Sequence, residues 1–203
     1  MTVGPSVRKL LEISSPPSAP DGFVPEGQTR ILRELSEMLI EKNGFYAFES
    51  ALFVRSYDGI QAWNERGLWR ESYSGLADGI VFFAEDIFGG QFGIRGEQVV
   101  SFDPETADVE VLSSSLEDWA KEILNEYPVL TGYPLAEEWQ EEHGRLSPGM
   151  RLVPKLPFVA GGDFSVRNLY ELNDVAGMRL RGDIARQIHD APEGAELKIK
   201  IVD

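Results

Sequence analysis

The stretch from Gly79 to Trp119 constrains this chain more than any other. Within about forty residues it packs apolar runs, glycine turns and a hairpin, and the flanking sequence reads as cover for it. Gly79–Ala84 is a short run rich in aromatic and branched residues, which suits a buried strand. Gly89 and Gly90 allow a backbone bend that side chains would obstruct. Gln91–Arg95 and Glu97–Phe102 read as two strands joined tightly at Arg95-Gly96. Asp103-Pro-Glu-Thr-Ala-Asp108 makes the next turn, and Val109–Leu112 is the third strand of the meander.

On either side the periodicity turns helical. Ile31, Leu35, Met38 and Leu39 share one face with Glu34, Glu37 and Glu41 opposite, and Asn43-Gly44 supplies the stop. Phe45–Phe48 reads as a loop closing over the core, Ala51–Tyr57 as a strand, and Ile60–Tyr73 as a short helix or irregular segment with buried indoles. Ser115 is a candidate N-cap for a helix whose inner stripe is Leu116, Trp119, Ile123, Leu124 and Tyr127. Pro134–His143 and Val175–His189 read as further helices. Pro154–Gly162 reads as extended, Phe164–Tyr170 as the start of a strand or helix, and Glu196–Val202 alternates as a half-exposed last strand. Helices and antiparallel strands mix without regular alternation, so the expected class is α+β, a mainly antiparallel central sheet flanked by helices. Residues 1–26 read as a tail, with a little helix at Val7–Ile13 and a proline-rich linker or surface wrap at Ser14–Pro20. Residues 27–203 read as a single domain.

Charge and residue inventory narrow the function. The 203-residue chain has a formal net charge of -15 and no cysteine. Neither nucleic acid nor an anionic membrane surface is expected as a partner, because both need clustered Lys and Arg. No apolar window reaches membrane-spanning length, and the N-terminus has no secretion signal, so a cytoplasmic location is expected. Between Glu97 and Glu142 there are thirteen Asp or Glu and one basic residue, Lys121. That asymmetry serves solubility, and it also provides a field able to steer a basic partner.

Catalytic parts are scarce. The two histidines, His143 and His189, sit near expected helix ends, and the chain has no Gly-x-Ser-x-Gly elbow, so no catalytic residue, metal ligand or cofactor is assigned. The run Asp103, Glu105, Asp108, Glu110 lacks the glycine and terminal glutamate spacing of a calcium loop and reads as a solvated turn. The adjacent carboxylates Glu85 and Asp86 hold a metal or act as acid and base only if both enter one pocket. The alternative is that one of them ties down the following turn through backbone N–H groups.

Several segments together carry a resemblance. Asn43-Gly-Phe-Tyr-Ala-Phe-Glu-Ser-Ala-Leu52, Trp63-Asn64, Trp69, Phe82-Phe-Ala-Glu-Asp-Ile-Phe-Gly-Gly-Gln-Phe92, Phe102-Asp103-Pro104 and the Ser115–Leu124 helix resemble bacterial members of the SUKH superfamily, the Smi/Knr-like proteins. The likeness spans roughly Ile31 to Leu124. Pro157–Gly162 and Gln187-Ile188 match only a subset of such proteins. The resemblance implies an α+β fold and, for many bacterial members, an immunity protein that neutralises a polymorphic or contact-delivered toxin. Fungal relatives are regulatory scaffolds.

The expectation is therefore a non-enzymatic protein that binds another protein, a basic toxin domain, as a monomer or dimer. The candidate contacts are Trp69 and Tyr73 as aromatic anchors, with Asp86, Asp108, Glu110, Glu137, Glu138 and Glu141 as the acidic surface. A regulatory scaffold using the proline-rich tail, and a metal-dependent enzyme using Glu85 and Asp86, are the alternatives.

Overall fold

The meander exists, and it starts two strands earlier than the Gly79 run. The computed structural model describes residues 3–20, 25 and 27–192. Its larger sheet has six strands in sequence order: β1 (Phe45–Ala47), β2 (Leu52–Val54), β3 (Val81–Glu85), β4 (Gln91–Arg95), β5 (Gln98–Phe102) and β6 (Val109–Ser113). Every neighbouring pair is antiparallel. Phe45–Ala47, expected as a closing loop, is a strand because Phe45 and Ala47 both point into the core and the next residues turn back through Phe48–Ser50 with positive φ. A two-stranded antiparallel ribbon, β7 (Met150–Pro154) with β8 (Leu169–Asn173), forms a second sheet.

Helices cover both faces of the main sheet, which makes the class α+β. Phe82 and Phe83, adjacent on β3, enter opposite cores, as the two-residue period of a strand requires. Phe83 packs with α1 (Pro5–Ile13), α2 (Arg30–Glu41) and α4 (Leu116–Leu130). Phe82 packs with Trp63 of α3 (Tyr57–Trp63), with Trp69 and Tyr73 around the 3₁₀ turn Arg70–Tyr73, and with Met178 and Ala185 of α6 (Asp174–His189). A third cluster joins Ile87 to Trp139 of α5 (Tyr133–His143) and to Leu152 and Leu169 of the ribbon.

Local chemistry explains the helix ends. Thr29 caps α2 and Ser115 caps α4, where the Ser115 hydroxyl accepts the Asp118 N–H at 3.0 Å. Near its far end α4 kinks: Glu126 leaves helical backbone (φ -119°, ψ 22°) two residues before Pro128, whose ring cannot follow a regular turn.

Residues 3–20, expected as part of a tail, do not hang free. Val7, Leu10 and Leu11 are buried, and Glu117 of α4 accepts the Ser6 and Val7 amides at 2.7 and 3.1 Å, capping a helix whose own N-cap is a glycine. Burial opposes ionisation of Glu117, but the Ser6 hydroxyl and the two amides outweigh it and hold the carboxyl below its ordinary value. The proline-rich run then wraps the sheet edge: Ser15 N–H donates to Tyr46 and Ser18 N–H to Gly44, both at 2.8 Å. The expected strand Glu196–Val202 lies outside the described residues.

Candidate functional site

The loop between β3 and β4 divides two neighbouring carboxylates between two environments. Glu85, the last residue of β3, is buried beneath the sheet's end, where Arg55 and Arg151 grip it at 2.7 and 2.8 Å. Gln91 donates to it at 3.0 Å while accepting from the Trp63 indole at 2.8 Å. Arg55 also reaches Asp174 at the start of α6, at 3.5 Å, and its guanidinium lies 3.5 Å from the Trp63 ring centroid. Burial alone would raise the Glu85 pKa; the two guanidiniums more than reverse it, so the carboxyl sits below its ordinary value. This ionic knot ties β2, β3, the ribbon and α6 together.

Asp86 turns the other way. Its Oδ1 accepts the Phe88 and Gly90 amides, each at 2.8 Å, and fixes the loop as an Asx-type turn. Gly89 and Gly90 are needed here for two different reasons. Gly89 has φ +78° and abuts the Arg181 guanidinium, and any side chain at Gly90 would collide with the Asp86 carboxylate. Burial pushes the Asp86 carboxyl up to about 7, against the two amides and Arg181. Glu85 and Asp86 therefore do not share a pocket, and of the two it is Asp86 that ties down the turn.

Asp86 opens into a groove of about 500 Å³ between the β3–β4 loop, the outer strands β5 and β6, the bend of α4 and the Phe158–Phe164 loop. Five carboxylates line it (Asp86, Asp103, Glu105, Asp108 and Glu110), with one guanidinium, Arg181. The turn Asp103–Asp108 is only partly the solvated loop expected of it. Asp103 caps the turn by accepting the Glu105 amide at 2.7 Å, whereas Glu105 is only 4% exposed and its Oε2 accepts the Val159 amide at 2.9 Å. Burial raises the Glu105 pKa, opposed by the Val159 and Phe158 amides and by Arg181. The opposite wall is aromatic: Phe158 and Phe164 stack at 4.0 Å, Phe88 meets both edge-on, and Phe164 is 67% exposed.

The candidate contacts scatter over three places. Asp86, Asp108 and Glu110 come together in this groove. Glu137 and Glu141 line a separate depression beside Phe48, Glu49 and Arg145, where Glu137 accepts the Tyr133 hydroxyl at 2.9 Å and pushes that phenol up to about 12. Glu138 is exposed but lines neither cavity.

Trp69 and Tyr73 require correction: they are 1% and 0% exposed and anchor nothing outside the molecule. Their spacing across the 3₁₀ turn aims both at the sheet, where they meet edge-to-face at 5.4 Å. The Trp69 indole donates to Trp63 O and the Tyr73 hydroxyl to Pro104 O. The exposed aromatic among the described residues is Phe164 instead, stacked on a half-buried Phe158, from a stretch whose main sequence signal was its glycines and prolines. Among the described residues, no three Asp, Glu or His are placed to hold a metal ion, and no helix is long and apolar enough to cross a membrane.

The architecture defines an α+β protein built on an antiparallel meander with a ribbon and groove at one end. No family model and no curated protein matches the chain. Among solved structures it is similar to the crystal structure of Atu4351 from Agrobacterium tumefaciens, with a TM-score of 0.57 over 85% of this chain and 86% of that one. At 12% identity the likeness speaks for the fold alone.

Proposed function

We propose that this protein is a non-enzymatic binding protein of the immunity type, which acts in the cytoplasm by occupying the basic surface of a toxin domain. The observation that carries this reading is the groove itself: five carboxylates beside a stacked phenylalanine pair whose outer member, Phe164, is exposed. Acidic groups steer a basic partner and set register, while a desolvated aromatic anchor supplies affinity. The element order that resembles the SUKH superfamily (helix, Asn43-Gly44, strands, the Ala84-Glu85-Asp86 turn, hairpin, closing helix) supports it further. The paired-carboxylate enzyme reading loses one of its two groups to the Arg55–Arg151 grip. The scaffold reading loses its free proline-rich tail to the sheet edge.

The test is co-expression with the cytotoxic domain encoded beside the gene, followed by binding kinetics. Protection from growth arrest is expected, with an association rate that falls about tenfold between roughly 0.05 and 0.5 M salt. Absence of such a neighbouring toxin, absence of protection, or a flat salt response counts against the reading.

A further inference from the structure

The Glu105 carboxylate is buried and half-used. Oε2 takes the Val159 amide and the Phe158 amide lies near enough to favour the charged form, while Oε1 makes no hydrogen bond of normal geometry among the described residues, although the side chain lines the groove. A buried carboxylate oxygen left without a donor is unfavourable, so a donor arriving from outside would be bound strongly. Arg181 does not fill that role. Its Nε donates to Gly177 O at 3.0 Å and its Nη1 to Phe88 O, and it makes no ion pair with any described residue. Asp86 adds a second acceptor on the same groove, since only its Oδ1 is engaged by the turn.

We propose that the groove receives one arginine or lysine side chain, set between apolar residues on an extended segment of the protein partner. This rests on the binding-protein reading above. Glu105 and Asp86 take the cation, and Phe158 and Phe164 take its apolar neighbours.

Three observations select this occupant. The carboxylates line the groove without converging into a metal cage among the described residues, which favours a spread organic cation over an ion. The apolar surface beside them (Phe164, Val159 at 42% and Val129 at 79% exposed) is more than a small free amine covers. One wall is β6, the edge of the six-stranded sheet, whose outward backbone groups can pair with an extended chain.

The titratable groups facing the acceptors are Arg181, Glu85 and Asp103, with Asp108 and Glu110 on the same groove. Because burial raises both carboxyls, cation binding expels protons from them. Affinity therefore rises as the pH is taken from 5.5 to 8.

The probe is the peptide acetyl-Gly-Val-Arg-Phe-Gly-amide, titrated calorimetrically into the full chain beside its citrulline analogue and free agmatine. The arginine peptide should bind about tenfold or more tightly than the citrulline form, as loss of a charge-assisted hydrogen bond implies. Glu105→Gln should abolish that discrimination without lowering the melting temperature, and Phe164→Ser should weaken both peptides alike. The proposal is overturned by no peptide binding, by equal affinity for the two peptides, by agmatine binding as tightly, or by discrimination that survives Glu105→Gln. It is also overturned if Lys198→Ser with Lys200→Ser tightens peptide binding tenfold, because the occupant is then this chain's own C-terminal segment. Discrimination without toxin protection would remove the immunity reading and keep the groove chemistry. Protection without discrimination would remove only this proposal.

Discussion

Glu85 and Asp86 are chain neighbours, yet one belongs to a knot and the other to a groove. In the knot, Glu85 and Asp174 face Arg55 and Arg151, and the charges balance within a few ångströms. In the groove, five carboxylates face one guanidinium whose donors are turned toward two backbone carbonyls and the Met178 sulfur. The difference teaches that acidity alone does not mark a binding surface. Compensated acid holds elements together; uncompensated acid lining a groove keeps acceptors free, as the proposed binding requires. Their pKa shifts run in opposite directions for that reason: Glu85 is lowered by its two arginines, and Asp86 is raised by burial.

The largest effect that would break this comparison is in the knot. Glu85→Ala leaves two buried guanidiniums without their shared partner and should cost about 3–5 kcal/mol in denaturant unfolding. A loss under about 1 kcal/mol would put the knot on a level with exposed ion pairs. Next in size, Glu117→Ala removes the N-terminal cap of α1 and should cost about 1 kcal/mol, with early hydrogen exchange confined to the N-terminal helix.

The pH response sharpens the contrast further. The stabilisation from Glu85, whose folded pKa is lowered, is present above the ordinary carboxylate range and is lost as the pH falls through that lowered pKa. Asp86 has the opposite sign: its contribution is complete below the ordinary Asp range and is lost as the pH rises toward about 7. The melting-temperature gain of Asp86→Asn over the parent chain should therefore grow from pH 4 to pH 7 and level off above. A gain that is constant with pH would show that Asp86 is not desolvated. The smallest effect belongs to Glu138, exposed and outside both cavities: Glu138→Gln should change stability by less than about 0.5 kcal/mol and leave binding of the proposed partner unaltered.

Much of the fold was legible locally. The strands β3 to β6 fall within a residue or two of the apolar runs between Gly79 and Leu112, and Ser115 caps α4 as its spacing demands. The Asx turn at Asp86 was also readable, because its donors lie only two and four residues on. The ribbon was harder. β7 and β8 pair across the loop that carries Phe158 and Phe164, and neither strand has the turn-bounded alternation that marks the meander.

The candidate site was legible only in part, and the reason is range. Asp86, Asp108 and Glu110 were identifiable as acids near turns, but nothing within a few residues announces that Glu105 is buried or that Val159, 54 positions away, donates to it. Trp69 and Tyr73 have the composition of anchors and the burial of core, a choice made by the face that the 3₁₀ turn presents to the sheet. Sequence by itself determined the α+β meander, the Ser115 cap and the acidic character of one half, because turns, periodicity and net charge depend on residue type and near neighbours. Only the tertiary structure decided which carboxylate is neutralised and which is left open. Desolvation and pairing depend on groups such as Arg151, brought to Glu85 from 66 residues along the chain.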